Sequence, residues 1–275
     1  MDDYSPKEYW ANIADNFRSA DPSGIAPVLH PGAPAWFNQL IDRQQFHALG
    51  RALALARIPA AARSLDVGCG TGRWVRRYEQ MGFRATVLDV TPGMLRTARQ
   101  CGITGLLVAG EAHRLPFSDG AFEFVSDVTV VQHIPAELQP AAIGEMMRVL
   151  KPKGHLLLFE LIRGKGPHIF PRSAQDWIKQ ASSHGAALLG WFGQEFLLPD
   201  RLFVRLAQSV SGRNSARLSP GALPENSASH SRSAIRSAYW RFRYVTASVS
   251  AWTEPLTEKI CPARFATHGV FVFRK

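Results

Sequence analysis

A glycine-rich turn between an apolar segment and a helical pattern places the strongest constraint on how this chain can fold. The apolar run Ser64–Val67 leads into Gly68, Gly70 and Gly72, and a helical pattern begins at Arg73. Glycine lacks a Cβ atom and adopts positive φ readily, so such a backbone can turn sharply and approach a ligand closely. The first N–H groups of the following helix are also free to bind one. The segment predicts a strand–turn–helix unit that contacts a ligand, although a purely structural turn would accept the same glycines.

Strand and helix patterns alternate along the middle of the chain. This alternation predicts an α/β fold with a mainly parallel sheet covered by helices on both faces. Ligands of such sheets bind outside the carboxyl ends of the strands. The predicted strands lie near residues 64–68, 85–89, 104–109, 122–127 and 154–162, and the predicted helices near 73–81, 92–100 and 136–150.

The segments on either side of this region differ from it. Apolar residues at helical spacing predict helices at Pro6–Ser19 and Ala35–Arg57, which form an N-terminal cover over residues 1–60. A helix at 173–183, a sixth strand within 187–198 and a seventh at 268–273 follow strand five. We therefore predict a sheet domain made of residues 61–198 and 262–275.

The segment between strands six and seven is far longer than a hairpin connection requires. It contains a helical pattern near 199–210, a Ser-rich tract at 211–233 and a second helical pattern near 234–258. We predict that residues 199–261 form a helical cap over the ligand site together with the N-terminal cover, and that the Ser-rich tract is mobile because it has few residues to bury.

The charge of the chain does not indicate a nucleic-acid partner. The formal net charge is +10, but residues 201–275 hold 12 Lys and Arg against 3 Asp and Glu, whereas residues 1–200 hold 20 against 19. The excess lies at helical intervals rather than in a basic run, which favours a solvated helix face or attraction for small anions. The sequence therefore predicts a small-molecule partner and no nucleic acid.

Other classes of protein are disfavoured by what the sequence contains. No run approaches the roughly 20 apolar residues of a membrane span, and the first residues are acidic and polar, unlike a secretory signal. The 3 Cys and the His residues have no spacing typical of a disulfide framework or a metal site. We expect a cytoplasmic protein without a metal or membrane partner; the sequence does not indicate its oligomeric state.

An acidic residue at the end of the second predicted strand narrows the ligand to a nucleoside. Asp89 follows the glycine turn at the distance at which a βαβ unit places a ribose-binding carboxylate. A dinucleotide fingerprint would have glycine at Arg73, whereas here Gly72 comes one residue early and Asp66 precedes the turn. These departures favour a ligand that contains a nucleoside but is not a nicotinamide dinucleotide.

With these blocks in this order, residues 60–162 resemble the class I S-adenosylmethionine-dependent methyltransferases, small-molecule type. The resemblance implies a Rossmann-like seven-stranded sheet, S-adenosylmethionine as cofactor and secondary metabolism as the setting. The blocks are Leu65–Gly72, Val87–Val90, Thr91–Leu95, Ala109–Ala112, Leu115–Phe117, Phe122–Asp127, Val131–Ile134 and Glu145–Glu160.

The resemblance also implies roles for individual residues. The glycines and Asp66 would hold the methionine end, Asp89 the ribose and Glu111 the adenine, with apolar walls around the ring. Glu111 stands where the family most often has aspartate. The implied cofactor-binding residues are Asp66, Gly68, Gly70, Gly72, Asp89, Val90, Met94, Glu111, Ala112 and Asp127.

Two residues are candidates for chemistry at the methyl group, and four for the cover. His133 follows strand four and could accept a proton near neutral pH or only position the ligand. Glu160, at the end of strand five, could bind an acceptor amine or hydroxyl. Aromatic rings of the cover could face the sulfonium cation or simply pack on the sheet. The candidate cover residues are Tyr9, Trp10, Trp36 and Asn38.

Methyl transfer to a small acceptor in an enclosed site is the leading hypothesis. The alternatives are cyclisation of the cofactor to azetidine-2-carboxylate with release of methylthioadenosine, which needs no acceptor, and a non-catalytic cofactor-binding subunit. Base methylation is disfavoured because Asp127–Val130 stands where the signature of many base methyltransferases would be.

Overall fold

The structure is a computed structural model that describes residues 4–17, 29, 33–164, 166, 168–195, 202 and 230–275. The helices in this part of the chain are α1 (Pro6–Phe17), α2 (Ala35–Ala56), α3 (Arg73–Gln80), α4 (Pro92–Gln100), α5 (Gln139–Val149), α6 (Ala174–Ser183) and α7 (His230–Ile260). The strands are β1 (Arg63–Val67), β2 (Arg84–Asp89), β3 (Leu106–Ala109), β4 (Phe122–Val128), β5 (Leu150–Leu161), β6 (Ala187–Gln194) and β7 (His268–Arg274).

The seven strands form one sheet in the order β3-β2-β1-β4-β5-β7-β6. Strands β1 to β5 are parallel, and β7 inserts antiparallel between β5 and β6. The predicted Rossmann-like seven-stranded sheet is confirmed. Because these strands are parallel neighbours, the carboxyl ends of β1, β2 and β4 lie side by side at one edge of the sheet. Ligands of such sheets bind at this edge.

Helix α2 covers one face of the sheet and makes the N-terminal cover part of the core. Its apolar residues, among them Leu49 and Ala52, pack against Phe124, Phe159 and Val270 of three strands. The helix begins after Pro34 and ends at Arg57, which adopts a left-handed conformation with φ 51°. Successive strand residues point to opposite faces, so the intervening residues of the same strands face the other way.

Helices α5 and α6 cover the opposite face. Met146 of α5 and Trp177 of α6 are fully buried against Leu156, Leu158 and Phe271. The Trp177 indole N–H donates to the Leu161 carbonyl at 3.0 Å, which ties α6 to the end of β5. Both faces of the central strands are therefore dry, as their nearly continuous apolar runs predict.

The structure differs from the predicted boundaries in the second half of the chain. Strand β5 begins at Leu150, because Leu150 pairs with Phe122 before an irregularity in the register. The predicted helix near 199–210 and most of the Ser-rich tract lie outside the described residues. The predicted helix 234–258 is α7, which packs on α2 through Trp240 and Ala247.

Candidate functional site

A cavity of about 310 Å³ lies at the carboxyl ends of β1, β2 and β4, beneath α1. Its walls come from the glycine turn, the end of β2, the segment after β3, the turn after β4, and the first turns of α1. The residues that line it include Trp10, Gly68, Gly70, Arg73, Asp89, Val90, Met94, Glu111, Ala112, Val128, Thr129, Val130 and His133.

The glycine turn lines part of the cavity, but its three glycines have different surroundings. Gly68, Gly70 and Gly72 all have positive φ, at 67°, 54° and 80°. Gly68 and Gly70 line the cavity, whereas Gly72 does not. A Cβ on Gly68 would come within 2.5 Å of the Val130 side chain, and one on Gly72 within 2.5 Å of Ile103. At these two positions glycine is required by packing inside the protein as well as by φ.

Asp89 joins the glycine turn to the start of α4. One carboxylate oxygen accepts a hydrogen bond from the Gly70 N–H at 2.8 Å, and the other accepts one from the Thr91 N–H at 2.8 Å. Burial raises the pKa of Asp89 to about 6, and the two backbone donors oppose that rise. A carboxylate has about four acceptor positions, so Asp89 retains capacity for ligand hydroxyls.

The opposite wall suits a flat, partly apolar ring with a polar edge. Val90, Met94 and Ala112 provide apolar contacts, and Glu111 provides a carboxylate beside them. The Glu111 side chain is 55% exposed and lies 3.2 Å from the ring nitrogen of His113. Its carboxylate can therefore reach a ligand without a large desolvation cost.

Asp66 lies behind the glycine turn rather than on the cavity. It is 2% exposed and accepts a hydrogen bond from the Ser126 hydroxyl at 2.5 Å. Burial raises the pKa of Asp66 to about 7, with Asp127 and Asp89 adding to the rise and Ser126 and Arg73 opposing it. The structure places this carboxylate where it links β1 to the neighbouring strand β4 behind the glycine turn.

Glu160 holds the turn that follows β4. It is fully buried and accepts hydrogen bonds of 2.9 Å from three consecutive backbone N–H groups, those of residues 130–132. Asp127, also fully buried, has a pKa well above its ordinary value because of burial and of the neighbouring Glu160 charge. The three N–H donors favour the ionised form of Glu160, so Asp127 is the more readily protonated of the two carboxyls.

Neither carboxylate is among the residues that line the cavity, so the contacts of Glu160 with an acceptor and of Asp127 with the cofactor stay predictions, and the structure gives both residues a place behind the turn. The physical reason is that the turn after β4 has several N–H groups without helical or strand partners. A buried carboxylate on the next strand supplies the acceptors that they require.

His133 lines the cavity with both ring nitrogens already hydrogen-bonded. Its Nδ1 lies 3.0 Å from the His168 carbonyl, so Nδ1 carries the proton, and its Nε2 lies 3.2 Å from the Gln132 side-chain nitrogen. The Gln132 amide orientation is set by Leu161, whose N–H donates to the amide oxygen at 2.7 Å. Burial lowers the pKa of His133 to about 4. This arrangement favours a neutral, positioning imidazole over a general base.

Of the predicted cover residues, only Trp10 lines the cavity. Its ring makes an edge contact with His133 at 5.1 Å, while Tyr9 stacks on His168 at 4.3 Å. Trp36 contacts Trp240 and belongs to the interface between α2 and α7. Asn38 is 2% exposed on α2 and also lies away from the cavity.

Arg73 is a cavity residue that we did not single out as a site residue from the sequence. Arg73 is 9% exposed. Its guanidinium donates to the Asp42 carboxylate at 2.9 Å and to the Gln45 side-chain oxygen at 2.8 Å, both on α2. Asp42 also accepts from Arg77 at 2.6 Å. The sequence signal for Arg73 is a charged residue at the position where a dinucleotide-binding turn has glycine. Its partners cannot be read from the local sequence, because they lie 28 and 31 positions away in the chain.

Taken together, the donor set fits S-adenosylmethionine. A buried carboxylate stands at the end of β2, a second carboxylate borders an apolar slot, and an aromatic ring faces the turn after β4. These groups suit ribose hydroxyls, an adenine ring with its exocyclic amine, and a sulfonium cation. In the described part of the chain no cluster of metal-ligating side chains occurs, and no helix is long and apolar enough to span a membrane.

Comparisons with known proteins agree with this geometry. A protein family described as "Methyltransferase domain" matches residues 65–158. The malonyl-[acyl-carrier protein] O-methyltransferase of Serratia marcescens is 39% identical over 100 residues, which are 36% of this chain and 38% of that protein. The demethylmenaquinone methyltransferase of Staphylococcus epidermidis is 32% identical over 131 residues, 45% of this chain and 53% of that protein.

A solved structure has the same fold at low sequence identity. The crystal structure of the [4+2]-cyclase SpnF superposes with a TM-score of 0.56 over 89% of this chain and 83% of that one, at 20% identity. The chain spans about half or less of the lengths of the two curated relatives. The family match at residues 65–158 contains the glycine turn, Asp89, Glu111 and the turn after β4.

Proposed function

We propose that this chain, which belongs to the class I S-adenosylmethionine-dependent methyltransferase superfamily, transfers a methyl group to a small-molecule acceptor in an enclosed site. The observation that carries the proposal is the cavity itself. Its lining brings Gly70, Asp89, Glu111 and Trp10 together at the carboxyl edge of a sheet with this family's strand order.

The residues that would hold the cofactor divide into three groups. Asp89 would accept hydrogen bonds from the ribose, Glu111 from the adenine amine, and Val90, Met94 and Ala112 would pack against the ring. S-adenosylmethionine, when bound, supplies an already activated methyl carbon. The protein therefore has to orient the reactants and exclude water more than to activate them.

The turn after β4 provides this orientation. Glu160 binds its backbone N–H groups from behind, and His133 is held by the His168 carbonyl and by the Gln132 amide. The wall made by Thr129, Val130 and His133 is therefore rigid. Trp10 closes the cavity from α1 and limits access of water.

Two features favour a small acceptor. At about 310 Å³ the cavity is at the low end of the range for small-molecule sites, and α1 covers it, so a protein or nucleic-acid chain would lack an open groove. The same small volume supports a second candidate, cyclisation of the cofactor, because that reaction needs no acceptor pocket.

Product analysis separates these functions. The purified protein is incubated with S-adenosylmethionine alone and with a library of hydroxylated and amino acceptors, and the nucleoside products are identified by mass spectrometry. S-adenosylhomocysteine formed only with an acceptor is the expected result. Methylthioadenosine formed without acceptor would show cyclisation instead, and cofactor binding without turnover would indicate a non-catalytic subunit.

A variant ties the activity to the cavity. Asp89→Asn removes the ionised acceptor from the proposed ribose site, so we expect at least a tenfold higher Kd for S-adenosylhomocysteine by calorimetry. Asp176→Asn, an exposed carboxylate at the start of α6, is the control and should leave the Kd unchanged. An unchanged Kd for Asp89→Asn would contradict the assigned site.

A further inference from the structure

Helix α7 exposes a row of apolar side chains. The members of the row follow one another along the helix in steps of three or four residues, so they lie on one face. Trp252 is 83% exposed, and the other members are between 45% and 69% exposed. The row consists of Val245, Val249, Trp252, Leu256 and Ile260.

The opposite face of α7 joins the helix to the rest of the protein. Trp240 and Ala247 pack against Phe37 and Ile41 of α2, and Glu254 is 7% exposed. These positions alternate along the helix with those of the apolar row, so the two faces point in opposite directions. The row is therefore a second apolar face, and the packing of α7 on α2 does not account for it.

The row is large enough to be an interaction surface. With a rise of 1.5 Å per residue, the helix places Val245 and Ile260 about 22 Å apart. The exposed side chains between them present roughly 500 Å² of apolar surface, which is comparable with the largest patch on a typical monomer. Patches of this size on monomers are often functional.

An exposed cation stands at each end of the row. Arg241 precedes Val245 by one helical step, and Lys259 follows Leu256 by one step. Long basic side chains can lay their methylene groups on an apolar surface and extend their charges beyond it. The row therefore has an apolar centre and a positive charge at either end.

The two carboxylates of α7 do not offset these charges, because both are used inside the fold. Glu254 accepts hydrogen bonds from the Gln44 side chain and from the Glu195 N–H, and Glu258 pairs with Arg51. Cations are also in excess over residues 201–275, which hold 12 Lys and Arg against 3 Asp and Glu. This face of α7 suits a partner that is negative at its surface and apolar beneath it.

The charges favour an anionic bilayer over a second copy of the chain. Two helices packed along their rows would bring Arg241 and Lys259 against cations of the other copy, whether the helices ran parallel or antiparallel. A bilayer that contains anionic lipid accepts both features of the row. Apolar side chains of an interfacial helix insert about 5–10 Å at the headgroup level, and nearby Lys and Arg are attracted to the lipid charge.

We propose that α7 attaches this protein to the surface of a bilayer containing anionic phospholipid. The apolar row inserts among the headgroups, and Arg241 and Lys259 lie against the phosphates. The sequence predicts no membrane partner because it contains no apolar span, and surface attachment requires none. The attachment is independent of the proposed function.

Cosedimentation of the full chain with lipid vesicles tests the proposal. One set of vesicles is phosphatidylcholine alone, and the other contains about a third phosphatidylglycerol. Wild type should bind the anionic vesicles at least tenfold more tightly, and high salt should weaken that binding. Trp252→Gln and Leu256→Gln should each weaken it at least tenfold. Leu106→Gln is the matched control, because Leu106 on β3 is 61% exposed and Leu256 is 60% exposed.

Two further measurements separate the bilayer from other occupants of the row. The Tm of Trp252→Gln and of Leu256→Gln should stay within about 2 °C of wild type, because both side chains are exposed. A much lower Tm would show that the row packs within the chain. Light scattering should show that Leu256→Gln leaves the oligomeric state unchanged, and a dimer that this substitution dissociates would show that a second copy covers the row.

Either of those results would overturn the proposal. Equal binding of wild type to neutral and anionic vesicles, no binding to either, or binding that Trp252→Gln and Leu256→Gln leave unchanged would also overturn it.

Discussion

Four acids at the carboxyl ends of neighbouring strands look alike in sequence and differ in what they do. Asp89 and Glu111 face the cavity, whereas Asp66 and Glu160 are buried behind the turns that form it. The difference lies in access to the cavity: Asp89 accepts two backbone hydrogen bonds and still lines the cavity, whereas Asp66 and Glu160 meet only groups inside the fold, a hydroxyl and backbone N–H groups respectively. Burial of a carboxylate without a cation leaves a measurable signature in the pH dependence of stability.

The Asp66 carboxyl should make wild type less stable as the pH rises. Its pKa in the folded protein is about 7, against 3.8 ordinarily, so between pH 4 and 7 the folded state holds a proton that the unfolded state has lost. Stability therefore falls across this window and stays low above it. In urea titrations from pH 5 to pH 8, the free energy of unfolding of Asp66→Asn minus that of wild type should rise by up to about 3 kcal/mol.

Asp119→Asn, in an exposed loop, serves as the control for general charge effects. A difference between Asp66→Asn and wild type that is constant with pH would show that Asp66 is ionised throughout.

His133 should remain neutral at physiological pH as the Nδ1–H tautomer. Burial lowers its pKa to about 4, and the His168 carbonyl requires a donor at Nδ1. In ¹⁵N NMR spectra of the imidazole, assigned with His133→Gln, the Nε2 shift should be that of an unprotonated nitrogen between pH 8 and pH 6. Protonation of Nε2 in that range would place the pKa of His133 near neutral pH, which is the range that suits a general base.

At the scale of elements, two N-terminal helices make different contributions to the site. Helix α1 supplies the cavity wall through Trp10, and α2 supplies Asp42 and Gln45, which bind Arg73 behind the glycine turn. Both helices were predicted from their spacing of apolar residues. Helix α1 covers the cavity and α2 holds Arg73, and this difference depends on the face that each helix buries.

Trp10 should recognise the charge of the cofactor. An aromatic face stabilises a cation by about 0.5–2 kcal/mol, and S-adenosylhomocysteine lacks the sulfonium charge. Trp10→Leu should therefore weaken S-adenosylmethionine binding by roughly 2- to 30-fold more than it weakens S-adenosylhomocysteine binding, measured by calorimetry. Trp36→Leu, at the α7 contact, should change both affinities equally; an equal change for Trp10→Leu would show that Trp10 acts only by packing.

Asp42 should be important for stability because it neutralises two arginines. The Arg73–Asp42 pair is largely buried, with side-chain exposures of 7% and 12%. Removal of one partner from a buried pair typically costs about 3–5 kcal/mol, so Asp42→Ala should lower the free energy of unfolding by about 3 kcal/mol in urea titrations. Arg43→Ala, on the exposed side of α2, is the control, and a loss below about 1 kcal/mol for Asp42→Ala would contradict a buried pair.

At the scale of the whole molecule, the late insertion is described only in part. The sequence predicts that residues 199–261 cap the site. The described side chains of α7 pack on α2 through Trp240 and Ala247, and none of them is among the cavity-lining residues, so the cap stays a prediction. An apolar helix face indicates burial, but not the surface that buries it.

Hydrogen exchange tests this placement. Addition of S-adenosylhomocysteine should slow amide exchange in α1, in residues 89–94 and in residues 129–135, and leave α7 unchanged, because only the first three regions border the cavity. Protection of α7 comparable to that of α1 would support the predicted cap.

Much of the fold could be predicted because the relevant signals are local. Alternating apolar runs, helical spacing and the glycine turn specify the strands, the helices and the crossover between β1 and β2, and the contacts of β1 with β2 follow from short connections. The site was less predictable. Arg73 meets Asp42 and Gln45 through side chains from two separate helices, and these partners lie 31 and 28 positions away in the chain.

The sequence by itself determined the class of fold and the edge of the sheet at which the glycine turn and Asp89 lie, because periodicity and turn chemistry act between near neighbours in the chain. Only the tertiary structure decided which acids face the cavity, that Glu160 supports a turn, and that α7 lies on α2. These outcomes depend on which backbone N–H groups, side chains and apolar faces the folded chain brings together, and that pairing is a property of the whole sheet and its helices.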